Sequence, residues 1–531
     1  MNRRVLLDVD VILDFILKRK RFVYAEEVFR LIFDRQIDAF LPSTILPILS
    51  QLLEHKTRKR SNLKIDSRST LKTVLSYIHV FTVTGQDVIS ALVEGGNFED
   101  HLMIESAMRI DSDIIVLTYD DQYSKLTQSM TPKKFIKKFS GQIATTPLSV
   151  PLLDLSREYH LMMEEIDDAL LSVVASSQFI MGPKVTEFED ECAKYIDSKY
   201  AIGVSSGTEA LVLALRSLAI QRKGTEFFDA TDLVITTPFT FTATGDSILR
   251  SGATPLFVDT EPDGFNLNIQ NLHRLIDSRK IDPTQVVGIL PVHLFGHACP
   301  ADDILNLADK YNWFVLEDVA QAFGAKWREK RLGSIGTISS FSFFPTKNLG
   351  GFGDGGLITT DDGELNQLCR MLLRHGGRDK YNVDHIGYNA RLDSLQAAIL
   401  LVRLKYLDQF NEKRRKIARV YNQKFSGHSM IQTPTFSDES YDVFHQYTIR
   451  LAGGLRNTVR EELERSGVSS AIYYPIPLHK MKVFQGKSHT VEALLNAQRL
   501  CEEVLSLPIE PLMNEIELQH VTSTVLQIFQ N

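Results

Sequence analysis

The chain begins with short apolar runs that alternate with stretches of helical periodicity. Val5–Val9 and Ile114–Thr118 each predict a short buried strand, and Ala25–Phe33 predicts a helix. Strands and helices in alternation are typical of α/β domains. We therefore expect residues 1–138 to form an α/β domain.

After residue 200 the alternation returns on a larger scale. The predicted strands are Ala201–Val204, Leu233–Thr236, Thr254–Val258, Val287–Pro291 and Trp313–Glu317, with predicted helices at Ser206–Leu218 and Ala301–Tyr311. From Arg391, apolar residues recur at helical spacing through about Phe425, which predicts one long helix. A smaller α+β portion is expected from there to the C-terminus.

The boundary between the two blocks lies near residue 145. Residues 139–148 are small and mostly polar, and they follow a basic helical segment, Pro132–Lys138. Such a composition is typical of a linker. The expected organisation is an N-terminal domain (1–138), a linker (139–148), a large domain (149–390), and the long helix with a small domain (391–531).

Composition and charge narrow the class of protein. The chain is 44% apolar and 24% charged, which is ordinary for a globular protein. Its net charge of −7 argues against a nucleic-acid surface over the whole length. Residues 1–147 hold 21 basic and 18 acidic side chains. That excess is too small to establish a basic surface.

Cysteine usage and the terminal pattern indicate a cytoplasmic protein without a membrane segment. The four cysteines are too sparse for a disulfide framework, and no two have metal-ligand spacing. The first residues look like a signal peptide, but Asp8, Asp10 and Asp14 interrupt the apolar region. No apolar run is long enough to cross a bilayer.

A lysine in the second block carries the strongest chemical signal. Lys347 lies between a strand-like run, 339–344, and a glycine cluster, 350–356. Upstream, Asp318 follows an apolar run, and Ser205–Thr208 forms a small-residue turn ahead of a predicted helix. Pyridoxal phosphate requires a Schiff-base lysine, an anion for its protonated ring nitrogen and a helix N-terminus for its phosphate. The sequence therefore predicts a pyridoxal-phosphate site with Lys347 as its catalytic residue.

The upstream members of this site also allow structural explanations. Asp318 is the predicted partner of the ring nitrogen, but an aspartate here could equally be a helix N-cap. Gln321, three residues on, could reach the ring oxygen of the cofactor. Ser206, Gly207 and Thr208 could form only a capping turn, although such a turn binds phosphate well.

Other residues near the site also allow either a structural or a functional role. Of Phe239 and Phe241, one is expected in the core, and the other, which we take to be Phe241, could stack on the pyridine ring. The glycines of residues 351–356 precede a strand, so they do not form a dinucleotide loop. His293 and His297 are structural or line the substrate, since further metal ligands are missing.

Residues from about 149 to 528 resemble the DegT/StrS family of pyridoxal-phosphate sugar aminotransferases. The motifs that carry the resemblance are Gln178–Pro183, the Ser205–Thr208 turn, Asp318 with Gln321, Ser342, Lys347, Gly387–Asp393 and Leu505–Pro508. The resemblance implies a fold-type-I aminotransferase with a large mixed-sheet domain and a small C-terminal α+β domain. It further implies a homodimer with shared active sites.

The resemblance also assigns roles to residues. It implies that Thr208 and Ser342 bind the cofactor phosphate, and that Asn389 reaches the phosphate of the partner subunit. The expected substrate-facing residues are His293, Arg391 and His479. Some relatives carry histidine at the lysine position and dehydrate their substrate. Lys347 places this chain with the aminotransferases.

The predicted reaction moves an amino group from glutamate to a keto nucleotide-sugar for polysaccharide or glycan precursor biosynthesis. Residues 391–398 are most similar to members that aminate 3-keto sugars, so a 3-keto acceptor is favoured over a 4-keto one. Two alternatives remain open. One is another pyridoxal-phosphate sugar enzyme, such as a dehydratase. The other is an RNA-acting or regulatory protein with a passenger aminotransferase half.

The N-terminal block, residues 1–138, resembles a PIN domain, the fold of metal-dependent ribonucleases. Asp8, Asp100 and Asp120 match three of the acids that hold Mg²⁺ or Mn²⁺ in such domains, and RNA is the partner that the resemblance implies. The fourth acid position falls near Ile48, which cannot bind a metal. We therefore expect weak metal binding and little or no ribonuclease activity.

Overall fold

The structure is a computed structural model in which the chain forms two compact units, Met1–Ser149 and Val150–Asn531. The residues it describes are 3–17, 19, 21–33, 37–58, 74–75, 77–81, 83–84, 87, 98–110, 114–119, 129–139, 148–379, 381–435 and 437–530. The division between the units falls at the end of the predicted linker.

The first unit is built on a five-stranded parallel sheet with strand order β3-β2-β1-β4-β5. The strands are β1 (Arg3–Leu7), β2 (Ile37–Pro42), β3 (Ile78–Phe81), β4 (Ile115–Leu117) and β5 (Ser129–Met130). The helices are α1 (Val9–Ile16), α2 (Phe22–Phe33), α3 (Ile45–Arg58), α4 (Phe98–Met108) and α5 (Pro132–Phe139). The first strand ends before Val9, which was predicted as strand but begins α1 instead.

Asp8 lies at the carboxyl edge of this sheet, where β1 and β4 end side by side. The hydroxyl of Thr118 donates a hydrogen bond to Asp8 Oδ2 at 2.5 Å. Burial raises the pKa of the Asp8 carboxyl above its ordinary value. Asp100 lies in α4, but its side chain, like Asp120 as a whole, falls outside the described residues. The convergence of the three acids therefore stays a prediction.

A second acid of this edge is neutralised by arginines. Asp14 on α1 is buried, and its carboxylate receives Arg19 Nε at 3.1 Å and Arg21 Nε at 3.2 Å. Arg19 also pairs with Asp10 at 3.0 Å. Among the described residues, no three or more His, Cys, Asp or Glu side chains gather in a way that could hold a metal.

The second unit contains an eight-stranded mixed sheet with strand order β18-β8-β7-β9-β10-β13-β14-β6. Its strands are β6 (Tyr200–Val204), β7 (Leu233–Thr236), β8 (Thr254–Phe257), β9 (Val286–Ile289), β10 (Phe314–Asp318), β13 (Ile338–Ser342), β14 (Gly356–Thr360) and β18 (His489–Thr490). Only β14 runs against its neighbours. The predicted strands of this block all occur, with ends shifted by at most one or two residues.

Two small sheets complete the second unit, and only the first of them lies wholly within the predicted C-terminal α+β portion. The strands β15 (Ile431–Gln432), β17 (Tyr447–Leu451) and β19 (Val504–Leu507) form one sheet, and β11 (Lys326–Trp327), β12 (Lys330–Arg331) and β16 (Ser440–Tyr441) form the other.

Twelve helices of the second unit surround these sheets in the described part of the chain. They are α6 (Leu155–Ser176), α7 (Pro183–Ile196), α8 (Gly207–Lys223), α9 (Thr242–Arg250), α10 (Ile269–Asp277), α11 (Ala301–Tyr311), α12 (Gly363–Leu372), α13 (Ser394–Leu404), α14 (Leu407–Phe425), α15 (Arg456–Arg465), α16 (Leu495–Glu503) and α17 (Glu515–Ile528). None of the described helices is both long and apolar enough to cross a membrane.

The long helix predicted from Arg391 was wrong in two respects. The helix begins only at Ser394 after the N-cap Asp393, and it breaks at Lys405–Tyr406 into α13 and α14. At the break, the amides of Lys405 and Tyr406 donate to carbonyls three residues back, which tightens the turn. Apolar spacing continues through the break, so periodicity alone could not reveal it.

The strand register brings three sequence motifs to one edge of the large sheet. Asp318 ends β10 and lies opposite Ser340 on β13. Ser342 ends β13 opposite Gly356, and Gly356 in turn lies opposite Val204 at the end of β6. Ligands of α/β sheets bind at the carboxyl ends of strands. This strand register therefore places the residues of the candidate site together at the carboxyl edge of the sheet.

Candidate active site

The start of helix α8 forms a cradle for an anion. The hydroxyl of Ser206 accepts a hydrogen bond from the amide of Glu209 at 3.1 Å, so this side chain caps the helix. A Cβ on Gly207 would lie 2.6 Å from Cβ of Ser342, so only glycine allows this approach. Ser342 is thereby held against the helix N-terminus, where backbone amides attract negative charge.

Thr208 and Ser342 carry hydroxyl groups that remain available to bind an anion in the cradle. The Thr208 hydroxyl makes no hydrogen bond within the described part of the chain, and Ser342 Oγ accepts only a long one, 3.4 Å, from the amide of Phe344. The Ser206 hydroxyl accepts the capping bond and still has its O–H to donate, so its role toward an anion stays a prediction.

Residues 389–391 run beside the same helix start. The amide of Ser205 donates to the carbonyl of Ala390 at 3.0 Å, and Arg391 bridges to Val204. The guanidinium of Arg391 donates to Asn389 Oδ1 at 2.6 Å. Two of the predicted site residues therefore bind each other, with the Asn389 side chain exposed.

Asp318 is a buried carboxylate, only 5% exposed. Its Oδ2 accepts a hydrogen bond from the Thr244 hydroxyl at 3.0 Å, and its Oδ1 accepts one from the amide of Ala320 at 3.1 Å. Burial raises its pKa, while these bonds and the charge of Lys347 act in the opposite direction. No salt bridge to Asp318 forms among the described residues, so a cationic ring nitrogen would supply the missing charge.

Lys347 lies in the tight loop after β13. Its amide donates to the carbonyl of Phe344 at 2.8 Å, which folds the loop back on itself. Burial lowers the pKa of the Lys347 amine to about 8, against the opposing charge of Asp318. A lysine with a lowered pKa holds more of the free amine that attacks a carbonyl.

Gln321 has both ends of its amide engaged within the protein. Its Oε1 accepts from the amide of Phe295 at 2.8 Å, and its Nε2 donates to the Tyr474 hydroxyl at 2.9 Å. Gln321 therefore joins the end of β10 to the segment around Tyr474. Its approach to a cofactor oxygen stays a prediction.

The two phenylalanines of the loop after β7 have different environments. Phe239 is fully buried and packs edge-on against Phe295. Phe241 is 53% exposed and lies 6.2 Å from the ring of Tyr474. One phenylalanine is thus core, and Phe241 is the one with a face left open for stacking.

His293 has no polar atom left for a substrate. Its Nδ1 accepts from the amide of Cys299 at 3.0 Å, and its Nε2 lies 3.3 Å from the Glu317 carboxylate. The side chain is 1% exposed. Of the two possibilities that the sequence left open, this geometry corresponds to the structural one, in which His293 and Glu317 support the strand that carries Asp318.

His479 lies close to the loop of the two phenylalanines. The amide of its neighbour Leu478 donates to the carbonyl of Pro238 at 2.8 Å. Burial lowers the pKa of the His479 imidazole, and its Nδ1 is buried without a hydrogen bond in the described structure. The role of His479 toward a substrate stays a prediction.

Three residues of this site gave no signal in the sequence. Thr244, on α9, holds Asp318, although the two are 74 positions apart. Tyr474 binds Gln321 across 153 positions. His445 is buried within the electrostatic reach of Lys347. An ordinary threonine, tyrosine or histidine acquires such a role only when the fold brings distant segments together.

The site combines an amine, a buried carboxylate and an anion cradle. The residues present fit pyridoxal phosphate: Gly207, Thr208 and Ser342 would hold the phosphate, Asp318 the ring nitrogen, and Lys347 the aldehyde carbon. A Cβ at position 207 would clash with Ser342, and Asp318 forms no salt bridge with any residue that the structure describes. The fold and the arrangement of these residues are therefore those of a pyridoxal-phosphate-dependent enzyme.

A sequence model of the DegT/DnrJ/EryC1/StrS aminotransferase family matches residues 160–526, and the chain belongs to that family. It is 38% identical over 386 residues to a pleiotropic regulatory protein of Geobacillus stearothermophilus, covering 72% of this chain and 100% of that one. It is 36% identical over 382 residues to dTDP-3-amino-3,4,6-trideoxy-α-D-glucose transaminase of Streptomyces venezuelae, covering 72% and 96%. A UDP-N-acetyl-3-dehydro-α-D-glucosamine 3-aminotransferase of Acidithiobacillus ferrooxidans is 37% identical over 381 residues, covering 72% and 98%.

Solved structures agree with this membership. The crystal structure of S. venezuelae DesV in complex with a ketimine intermediate superposes with a TM-score of 0.67 at 35% identity, covering 73% of this chain and all of that one. The structure of NtdA from Bacillus subtilis with the bound cofactor PMP superposes with a TM-score of 0.65 at 30% identity, covering 72% and 86%. The second unit is therefore a sugar aminotransferase fold, and this chain is an enzyme of that family.

Proposed function

We propose that the second unit catalyses pyridoxal-phosphate-dependent transfer of an amino group to a keto nucleotide-sugar. The observation that carries the proposal is the placement of Lys347 and Asp318 beside the cradle of Gly207 and Ser342 at one edge of the sheet. When bound, pyridoxal phosphate supplies an electron sink that stabilises negative charge on the reacting carbon.

The residues of this chain have distinct parts in that chemistry. Lys347 Nζ attaches the cofactor and then, as a free amine, moves a proton between the two reacting carbons. Asp318, fixed by Thr244, holds a proton on the ring nitrogen through a charge-assisted hydrogen bond. The cradle at α8 orients the cofactor through its phosphate.

The proposed acceptor is a 3-keto nucleotide-sugar and the proposed donor is glutamate. Two relatives support the acceptor, because their names describe transamination at carbon 3 of dTDP- and UDP-linked sugars. A panel of 3-keto and 4-keto UDP- and dTDP-sugars with glutamate tests it, by the appearance of amino sugar and 2-oxoglutarate. Turnover of a keto sugar without glutamate would instead support a dehydratase.

We also propose that the active protein is a homodimer in which Asn389 serves the partner's site. The segment just before Asn389 exposes three large apolar side chains: Tyr381 at 83%, Val383 and Ile386. Apolar side chains grouped on a protruding segment mark an association surface. A second copy of the chain is the partner that the family resemblance implies.

Subunit mixing tests this arrangement. Asn389→Ala is expected to weaken cofactor binding, because the phosphate loses a hydrogen-bond partner. Mixing Asn389→Ala with inactive Lys347→Ala should restore activity in heterodimers, which keep one intact composite site. With random exchange in a two-fold dimer, about a quarter of the native sites are recovered. The measurement is turnover before and after exchange.

The matched control is a mixture of Lys347→Ala with Asp318→Asn. These two residues interact within one chain, so their heterodimers contain no intact site. Recovery in this control, or none in the Asn389 mixture once exchange is verified by mass, would argue against a shared site.

For the first unit we propose a PIN-like fold kept as an interaction or docking module, and for the whole chain a cytoplasmic location. The fourth acid position of this unit is occupied by Ile48, which cannot bind a metal. Asp14 is neutralised by Arg19 and Arg21 rather than left open to a cation. The four buried free cysteines suit a reducing compartment.

The whole chain is expected to cleave single-stranded RNA slowly or not at all, even with Mn²⁺. The reason is that Ile48 occupies the fourth acid position. The measurement is RNA cleavage over a Mn²⁺ titration, with Asp8→Asn alongside. Robust cleavage that Asp8→Asn removes would show that the unit is a working nuclease and that the RNA-acting alternative is correct.

A further inference from the structure

The hydroxyl group of Thr244 links Asp318 to a second threonine. Thr244 Oγ1 lies 3.0 Å from Asp318 Oδ2 and 3.1 Å from Thr240 Oγ1. Both threonines are buried. The Thr240 hydroxyl makes no other hydrogen bond within the described part of the chain. Thr240 therefore has a buried polar group whose one described partner also holds Asp318.

The main chain holds the two threonines in this geometry. Thr240 lies in the turn before α9, and Thr244 lies in the first turn of that helix. The amide of Thr244 donates to the carbonyl of Phe241 at 3.2 Å. The turn is fastened from outside by the amide of Leu478, which donates to the carbonyl of Pro238 at 2.8 Å. Backbone contacts therefore set the distance between the two hydroxyl groups.

The chemistry of the three side chains fixes the direction of both hydrogen bonds. A carboxylate only accepts hydrogen bonds, and a hydroxyl has a single hydrogen to donate. With Asp318 ionised, Thr244 gives its hydrogen to the carboxylate and can only accept from Thr240. Both buried hydroxyl hydrogens then have an acceptor. The chain of hydrogen bonds runs from Thr240 through Thr244 to Asp318.

A protonated Asp318 would meet donors on both of its oxygens. A proton on Oδ2 would face Thr244 and reverse the chain, and the Thr240 hydrogen would then have no acceptor among the described residues. A proton on Oδ1 would meet the amide of Ala320, which is itself a donor at 3.1 Å. A buried donor without an acceptor costs free energy. The two hydroxyl groups therefore favour the ionised carboxylate.

Other groups also act on the charge of Asp318. Burial raises its pKa, while the bonds from the amide of Ala320 and from Thr244 lower it. The ionisable groups that interact electrostatically with this carboxyl are Lys347, His293, Cys299 and Tyr474. All four stay in place when a threonine is replaced, so a difference between threonine variants reports the hydroxyl groups.

We propose that Thr240 is a positioning residue for Asp318 and acts through Thr244. The Thr240 hydroxyl donates to Thr244, the Thr244 hydroxyl donates to the carboxylate, and together they keep Asp318 ionised and fixed in orientation. A hydroxyl that accepts a hydrogen bond donates more strongly, so the first bond strengthens the second. The inference rests on the proposed function for the role of Asp318, and it adds the residue that supports its charge.

The first test is the titration of the Asp318 carboxyl in the chain without pyridoxal phosphate, by ¹³C NMR of aspartate-labelled protein. The Asp318 signal is assigned by its loss in Asp318→Asn. In Thr244→Val, the proton affinity of Asp318 should rise about 10- to 100-fold, the worth of one hydrogen bond to a charged group. In Thr240→Val, the rise should be about 1.5- to 4-fold, because Thr240 only strengthens the second bond. Thr240→Ser, which keeps the hydroxyl, should titrate like the parent.

The second test asks whether Thr240 acts only through Thr244. Adding Thr240→Val to Thr244→Val should change the titration no further, since the chain of hydrogen bonds is already broken. A further rise as large as that of Thr240→Val alone would mean that Thr240 acts by packing, and would overturn the proposal. Thr260→Val is the matched control and should titrate like the parent. Thr260 is also buried, and its hydroxyl has no hydrogen-bond partner among the described residues.

Two further results would overturn the proposal. One is a folded Thr244→Val with the parent's titration, which decides the matter even if the Thr240 variants fail to fold. The other is a folded Thr240→Val, or Thr240→Ala if valine is not tolerated, that titrates like the parent while Thr244→Val does not. Should the parent show no transamination, the proposed function fails, while the titration still decides the role of the threonines.

Discussion

Lys347→Ala protein is expected to fold, to lose the absorption band of the lysine-bound cofactor, and to show no transamination. We propose that the amine of Lys347 both attaches the cofactor and moves the proton, so its removal deletes both functions. An essential covalent residue typically contributes a factor of about 10⁴ or more to turnover. Because desolvation lowers the pKa of Lys347 to about 8, alanine also relieves a desolvation penalty. The melting temperature of the cofactor-depleted protein should therefore not fall.

The measurement is conversion of glutamate to 2-oxoglutarate, together with absorbance and thermal unfolding. Lys424→Ala, on the exposed side of α14, is the matched control and should behave like the parent. A Lys347→Ala protein that still cycles glutamate would exclude Lys347 as the attachment point and with it the proposed function.

Asp318→Asn should leave the cofactor attached but slow turnover by about 10²- to 10³-fold, the cost of losing one preorganised electrostatic partner. The asparagine cannot hold a proton on the ring nitrogen by charge. Its NH₂ group would also face one of two donors, the Thr244 hydroxyl or the amide of Ala320, which both point at the carboxylate. The pyridine ring of the cofactor would therefore be held less rigidly and would act as a weaker electron sink.

Two readouts separate this effect from unfolding. The absorbance of the bound cofactor should persist in Asp318→Asn, while kcat falls more than the apparent affinity for the sugar changes. Asp309→Asn, on an exposed aspartate of α11, is the matched control. Full activity in Asp318→Asn would mean that another group protonates the ring nitrogen.

Much of the secondary structure followed from the sequence because short apolar runs are local signals. Leu233–Thr236 and Ala301–Tyr311 were predicted with the bounds that the structure has. The break at Lys405–Tyr406 was missed, since a single tight turn leaves the apolar spacing unchanged. The start of α1 at Val9 was missed for a similar reason: an apolar residue at a strand end fits either element.

The sequence by itself determined the chemistry of the second unit. Covalent attachment of pyridoxal phosphate requires a lysine. Its ring nitrogen requires an acidic side chain, and its phosphate requires small residues at the start of a helix. Taken singly, Asp318 and the turn at Gly207 also allow structural explanations, so it is the combination with Lys347 that indicates the cofactor.

Only the tertiary structure decided which neighbours serve that chemistry. It placed Phe239 in the core and left Phe241 open, used Ser206 as a cap, and engaged both nitrogens of His293. It also brought Thr244 to Asp318, and the carbonyl of Val443 to Asn348 in the lysine loop. Such assignments depend on strand register and on close backbone contacts between segments far apart in the chain. A local sequence pattern does not indicate which distant side chain will lie in the site.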